Sequence, residues 1–390
     1  MSSATSVRFL RAISRALFWL CSGTVLYTWV LYPGVLGLAA RAIRSRSTQP
    51  LSGTPSVSVL LVVHNEEAVI RDAIEDLLAL DYPPEKVEYV VVGDGCTDGT
   101  LDIIRGFGEP RIRLYPTARV GLTAGIAYGV RAARNEVIVR TDADTRHRPD
   151  YLRCLLRHYA DPRVGAVGGH FTFANADETG ITRNEGLYWK FEMYLRKAES
   201  DAGILSTTSG AVMSFRRELF EEFSDKYSDD VVITKLVVKR GYRVVQEPGA
   251  IAYELMTPSI GGEYRARKRM VARGLTGIFS SEGGLNPVQH PGHWIGILSH
   301  KLLRWCTPFL MLGSFLSALG AGRRRLYQLA VLGHAALYSA ALGGYCLEQR
   351  QRHFRPFSAA FSFCLANAGF AMGIVEAVRG RRISAYRSEK

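Results

Sequence analysis

An α/β chain with a doubly wound, mainly parallel sheet between N- and C-terminal transmembrane helices is the fold the sequence predicts. Three observations predict it. Between residues 57 and 141, β-branched apolar runs alternate with stretches of helical spacing. An uncharged run of membrane-spanning length precedes them, and three more follow towards the far end. Acidic clusters come directly after three of the predicted strands, where an open parallel sheet binds its ligands.

The first apolar run, Ala16 to Ala40, carries no charge and contains Phe18, Trp19, Leu20, Tyr27, Trp29 and Leu31. Arg8, Arg11 and Arg15 give it the basic start of a signal peptide, but it is too long for one and has no small-residue cleavage site. It predicts a retained anchor at 14–40. Ser45 to Thr54 is rich in Ser, Thr, Gly and Pro, so 41–54 reads as a linker. Strands are expected at Val57 to Val63, Val87 to Val92, Ile112 to Tyr115 and Val137 to Thr141. Helices are expected at Glu66 to Leu80, Thr100 to Gly106 and Thr123 to Ala133. Three further uncharged stretches, Trp305 to Gly322, Leu326 to Leu347 and Pro356 to Val375, predict a membrane region of two to three helices at 305–380. A re-entrant or interfacial segment is the alternative for one of them.

Composition excludes several classes. The 47% apolar content and near-zero mean hydropathy suit neither a soluble enzyme nor a bundle of spans alone. The net charge of +13 gathers beside the apolar runs, at Arg41, Arg44, Arg46, Arg323 to Arg325, Arg379, Arg381 and Arg382, which points to membrane lipids. No basic stripe interleaved with aromatics marks a nucleic-acid site. Six scattered cysteines without a C-x-x-C pair exclude a zinc centre and a disulfide framework.

The chemistry-bearing residues sit after the strands. Asp142 and Asp144, one residue apart, can aim two carboxylates at one Mg²⁺ or Mn²⁺ that also meets a diphosphate. D-x-D in a solvated turn is the bland alternative. Asp94, in a glycine-flanked turn, can hydrogen-bond a nucleotide, whereas Asp98 caps the next helix. Asp229 and Asp230 open a helix-compatible run, where the helix dipole favours them or where one acts as a general base. A neighbouring carboxylate raises the pKa of such a base. Arg265, Arg267, Lys268, Arg269 and Arg273 form a basic segment that binds headgroups or clamps a departing diphosphate.

In this order and spacing the segments resemble the family 2 glycosyltransferases, the inverting group that includes cellulose, chitin and hyaluronan synthases. The resemblance runs from Pro55 to Gly274 through His64-Asn65-Glu66-Glu67, Asp94 to Thr100, Val137 to Leu152, Ser209-Gly210-Ala211, Asp229-Asp230 and Gly241 to Pro248. It extends loosely to His300 to Trp305, which looks like an amphipathic interface helix. It implies a GT-A catalytic domain at 55–275; the Gly, Pro and His of Gly283-Gly284 and Gln289 to His293 suggest a mobile gating loop, so 276–304 reads as that loop and the interface helix. By position it assigns the nucleotide pocket to His64, Asn65 and Glu66, the nucleotide to Asp94, and its ribose or diphosphate to Asp142. It gives the metal to Asp144, the base to Asp230 and the acceptor side to Ser209 and Gly210.

Two departures stand out. Polymer-making members carry Gln-x-x-Arg-Trp where Ala266, Arg269 and Met270 stand, and only Arg269 matches. Leu122 and Ala127 replace a lysine and an asparagine, and Arg119 is a candidate for the lost charge. The expected enzyme is a multi-pass protein of the inner membrane with its catalytic domain in the cytoplasm. It moves a sugar from a nucleotide-diphosphate donor, UDP-linked by preference, to a hydroxyl of a glycan or lipid-linked acceptor. A polyprenyl-phosphate sugar transferase and a catalytically silent scaffold of a polysaccharide export complex are the rivals.

Overall fold

The computed structural model describes residues 3–43, 54–175, 180–255, 259–280, 284–350 and 352–381. Most of the expected linker and Gly283 of the expected gating loop lie outside them. Residues 41–43 are helical, so the N-terminal helix outruns its predicted end.

That helix comprises α1 (Ser3–Leu26), a π-helical turn (Tyr27–Leu31) and α2 (Tyr32–Ile43). The α/β unit follows: β1 (Val57–Val63), α3 (Ile70–Leu78), β2 (Val87–Asp94), α4 (Thr100–Gly106), β3 (Ile112–Thr117), α5 (Leu122–Ala132) and β4 (Val137–Thr141). Strands β1 and β4 match expectation because each is rich in β-branched residues and buried at every position. Helix α3 is shorter than its apolar spacing suggests, since the Glu66 carbonyl closes a turn onto the amides of Val69 and Ile70.

Beyond Thr141 come β5 (Arg146–His147), α6 (Tyr151–Leu156), β6 (Val164–Phe173), α7 (Gly180–Asp201), β7 (Met213–Arg216), α8 (Asp229–Lys239), β8 (Arg243–Glu254) and α9 (Ile260–Ile278). The eight strands form one sheet in the order β3-β2-β1-β4-β7-β6-β8-β5. Strands β1 to β4 are parallel, but β7 runs against both β4 and β6. With β6 and β8 also paired in parallel, the sheet is mainly parallel as expected, and only β5 and β7 run against their neighbours. The regular strand–helix alternation that predicted parallel pairing stops at Thr141, and apolar spacing alone does not give a strand its direction.

Helices cover both faces, as a doubly wound sheet requires. On one face Ile70, Ile74 and Leu77 of α3, Ile104 of α4, and Leu152 and Leu155 of α6 pack on Val59, Leu61 and Val91. On the other, Ile126 of α5, Val237 of α8 and Val271 of α9 pack on Leu60, Val90 and Phe215. Each such side chain contributes about 1.5–3 kcal/mol by leaving water.

The chain then runs through α10 (Pro291–Gly296), a π-helical turn (Ile297–Leu302), α11 (Leu303–Trp305), α12 (Thr307–Gly320), α13 (Arg325–Glu348) and α14 (Arg355–Val378). Among the described residues, Ser6–Ala42, Arg325–Glu348 and Arg355–Val378 are long and apolar enough to cross a membrane. Pro291–Trp305 and Thr307–Gly320 make a fourth if the pair, bent by 61°, is one span. The N-terminal helix lies along α12, fastened by Arg15 Nε to the Ala321 carbonyl at 3.0 Å and Trp29 Nε1 to Thr307 Oγ1 at 3.1 Å. Helix α14 seats α9, because a Cβ on Gly369 would stand 2.7 Å from Arg267 Cβ, and one on Gly373 2.7 Å from the Lys268 carbonyl. Only glycines allow that approach.

The segment His300 to Trp305, expected as an amphipathic interface helix, presents its polar side inward. Lys301 Nζ donates to Glu192 Oε1 at 2.7 Å, and His300 lies 3.1 Å from Glu192 Oε2 and 2.9 Å from Glu199 Oε1. Arg304 also pairs with Glu192, Arg196 reaches it at 2.9 Å, and Tyr32 donates to Glu199 at 2.9 Å. Buried carboxylates on α7 therefore collect the basic groups that the local sequence would leave at a membrane surface.

Candidate active site

The order β2-β1-β4 brings the carboxyl ends of three parallel strands to one edge. Asp94 ends β2 and is buried. Its Oδ1 accepts from the amides of Val120 at 2.6 Å and Gly121 at 3.0 Å, and Arg119 Nη1 reaches its Oδ2 at 2.8 Å. Asp94 thus shapes the 119–121 loop, and Arg119 sits on it. His64 Nδ1 lies 2.8 Å from the Asp94 carbonyl. Asn65, at φ 54° among the described residues the one non-glycine with positive φ, accepts from the Thr97 amide at 2.8 Å. Glu66 donates its amide to Thr100 Oγ1 at 2.8 Å, and Asp98 accepts from the Thr100 amide at 3.1 Å. The expected nucleotide residues are brought together as one interlocked loop pair; Asp98, one residue before the Gly99 N-cap, is not the cap itself but ties the helix start to the Glu67 amide at 3.2 Å.

Beside this pair, past β4, a cavity of about 280 Å³ is lined by Arg140, Asp142, Ser209, Gly210, Ala211, Ser228, Asp229, Asp230 and Glu254, with Phe171 and Trp189. It unites Asp142, the acidic pair, and Ser209 and Gly210, expected on the acceptor side, which lie far apart in sequence. Arg269 is half-buried on α9 and is not in this lining. Its neighbour Arg273 donates to the carbonyls of Asp225 at 2.8 Å and Tyr227 at 2.5 Å, bracing the turn that leads to the acidic pair.

Arg140 is the residue that sequence reasoning missed. Nearly buried at the end of an apolar strand, it holds Asp142 Oδ1 through Nη2 at 2.9 Å and Asp229 Oδ2 through Nε at 3.2 Å. Gly210 makes room for it, since a Cβ there would lie 2.3 Å from Arg140 Nη1. The signal was an arginine in V-I-V-R-T, a strand buried on both faces, where a charge needs a partner. Glu254, at the end of β8, was missed too; it accepts from Thr145 Oγ1 at 2.7 Å.

One positive charge does not balance the carboxylates. Burial, then the nearby Asp144 and Asp229, raise Asp142 to about 6 against the pull of Arg140. Burial, then Asp144 and Asp142, push Glu254 up to about 8. Burial and the Asp229 charge likewise raise Asp230, while Ser228 Oγ donates to its Oδ1 at 2.5 Å. Asp144 is exposed. Among the described residues no three His, Cys, Asp or Glu side chains form a closed metal cage. Two carboxylates in a negative, open setting fit a hard divalent cation that completes its shell with phosphate oxygens and water. They do not fit a closed structural zinc.

Comparison with known proteins agrees with this arrangement. Residues 58–224 match Glycosyl transferase family 2. The chain is 26% identical over 227 residues to poly-beta-1,6-N-acetyl-D-glucosamine synthase of Staphylococcus aureus (strain COL), covering 56% of this chain and 54% of that protein. It is 30% identical over 223 residues to the probable glycosyltransferase YdaM of Bacillus subtilis (strain 168), covering 51% of this chain and 50% of that one. The chain thus spans about half the length of the curated relatives it matches. The solved mannosyltransferase PcManGT from Pyrobaculum calidifontis, in complex with GDP-Man and Mn²⁺, superposes with a TM-score of 0.67 at 24% identity. That match covers 95% of this chain and 99% of the mannosyltransferase, and it shows the shared GT-A fold. Residues 58–224 thus carry the match to glycosyl transferase family 2, and the relatives and the shared fold agree with a domain of that family there.

Proposed function

We propose that the chain is a membrane-bound, metal-dependent, inverting glycosyltransferase acting on a nucleotide-diphosphate sugar. The observation that carries this reading is the single cavity holding Asp142 and Asp230, with Arg140 spanning from the first to Asp229. The GDP-Man and Mn²⁺ of the solved mannosyltransferase and the synthase activity named for the staphylococcal relative agree with it. UDP- and GDP-linked sugars are both within this donor class.

The chemistry follows from the groups present. Asp230, raised by burial and by Asp229, is the base that takes the proton from an acceptor hydroxyl. The acceptor oxygen then forms its bond to the sugar C1 as the bond from C1 to the diphosphate oxygen breaks. The proton rests on Asp230 and the electron pair leaves with the nucleotide diphosphate. Attack opposite the leaving group inverts the anomeric carbon, and no covalent sugar–enzyme bond is needed. A Mg²⁺ or Mn²⁺ held by Asp144 and Asp142 would neutralise charge gathering on the departing diphosphate. Asp94 and Arg119 fix the loop that faces the nucleotide, together with His64, Asn65 and Glu66. Arg269 is assigned to the leaving group from its place in the basic helix α9.

The acceptor is a glycan or a lipid-linked sugar, within reach of membrane lipids. The catalytic domain faces the cytoplasm, where nucleotide sugars are made, and the apolar helices hold the protein in the cell membrane as a multi-pass enzyme. The test is nucleotide release from UDP- and GDP-sugars by the detergent-purified protein with Mn²⁺, Mg²⁺ or EDTA. Metal-dependent release that is lost in Asp144→Asn supports the reading. Release indifferent to EDTA, or a product that keeps the donor's anomeric configuration, refutes it.

A further inference from the structure

The cavity beside Asp230 has two chemically different walls. Carboxylates and Arg140 make one, and the rings of Phe171 and Trp189 make the other. The aromatic wall is built firmly. Trp189 donates its indole N–H to Glu185 Oε1 at 3.0 Å. Its ring stands 4.9 Å from Phe171 at an interplanar angle of 57° and 6.2 Å from Phe173 at 80°. Phe171 is buried and itself packs edge-on against Phe173 at 5.1 Å. With its one polar atom satisfied, its ring packed on Phe171 and Phe173 and the Arg196 guanidinium 5.8 Å over that ring, Trp189 is held in a fixed place in the cavity lining.

A pyranose ring is the ligand such walls fit. Its equatorial hydroxyls form a polar rim that carboxylates can accept from, and its C–H face carries the slight positive charge that an aromatic face attracts. A lipid phosphate fits poorly, because Asp142, Asp229, Asp230 and Glu254 would surround its negative charge with Arg140 as the lining's single cation. We infer that Trp189, backed by Phe171, is the stacking platform for an acceptor sugar ring. It sets that ring so that one hydroxyl faces Asp230, and it makes the enzyme specific for saccharide acceptors over polyprenyl phosphate. This inference rests on the proposed glycosyltransferase activity and names its acceptor class. Trp189 is a specificity-determining contact and takes no proton.

The experiment compares the wild type with Trp189→Ala and Trp189→Phe, full-length and in detergent. Nucleotide release from the donor is measured without acceptor, then with chito- and manno-oligosaccharides and with decaprenyl phosphate. Acceptor-free release by the wild type reports the donor site. The expected result is saccharide-stimulated release in the wild type and a rise in saccharide KM of about tenfold or more in Trp189→Ala. The thermal midpoint of each variant shows that it is folded, and Trp189→Phe should recover most of the saccharide affinity. Stimulation by decaprenyl phosphate alone, by no saccharide tested, or with equal saccharide KM in Trp189→Ala overturns the inference while leaving the donor chemistry intact. Absence of any nucleotide release in the wild type removes the proposed activity itself, and the acceptor platform with it.

Discussion

A single methyl group at residue 210 should disable the active site without unfolding the protein. The Cβ of Gly210→Ala would stand 2.3 Å from Arg140 Nη1, 3.1 Å from Asp229 Oδ2 and 3.2 Å from Arg140 Cζ. An arginine tip usually moves aside cheaply, but this one is nearly buried and tied to Asp142 at 2.9 Å and Asp229 at 3.2 Å. Ordinary contact requires it to retreat by about 1 Å, and leaving either carboxylate unpaired in a buried setting costs about 3–5 kcal/mol. Relief must come by shifting the whole Asp142–Arg140–Asp229 unit or the 209–211 backbone, and both displace the floor of the cavity. A 1 Å displacement of reacting groups costs about 100-fold in rate, or about 2.7 kcal/mol of barrier. The assay is the initial rate of metal-dependent nucleotide release, read beside the thermal midpoint of the purified protein. Combining Gly210→Ala with Arg140→Ala should add little to the loss from Arg140→Ala alone, since the clashing group is gone. Gly210→Ala with more than half of wild-type activity, or two losses that multiply, would refute the coupling of Gly210 to Arg140.

Two further outcomes follow from buried charges away from the cavity. Lys235, fully buried on α8, donates to the carbonyls of Gly277 at 3.0 Å and Ile278 at 2.7 Å, and burial lowers its pKa to about 7. The unfolded chain keeps that proton up to about 10.4, so stability should rise with pH from about 7 to 10.4, by up to roughly 5 kcal/mol. Lys235→Met should flatten this rise in a series of thermal midpoints, and an unchanged slope would refute the assignment. Glu192→Gln should leave Lys301 and Arg304 buried with no full counter-charge and cost roughly 3–5 kcal/mol. A thermal midpoint within a degree of wild type would show that the basic groups are not held by Glu192.

The sequence discloses this protein unevenly, for physical reasons. Strands β1 and β4 end where expected because runs rich in buried β-branched residues stop at the polar His64 and Asp142. The acidic groups were readable because each directly follows such a strand or opens a helix. Arg140 was not, because its two partners lie on different elements, one of them 89 residues away, and period-2 reasoning assigns a strand arginine to solvent. The inward turn of His300, Lys301 and Arg304 was hidden in the same way, since Glu192 and Glu199 answer them from more than 100 residues earlier. Local pattern specifies which segments are strands and where acids cluster. It does not specify which distant charges will meet, nor that β7 enters the sheet against its neighbours.

The close seating of α9 on α14 at Gly369 and Gly373 has a consequence for how this protein can be taken apart. Hydropathy draws a boundary near residue 275 and consigns everything after 305 to an anchor. Yet α9, whose Arg273 braces the turn before the acidic pair, takes its opposite support from the final helix. Cutting at that boundary would strip a wall from the domain it was meant to isolate. The division is thus apparent only along the chain: in space, α9 and the final helix share a seam.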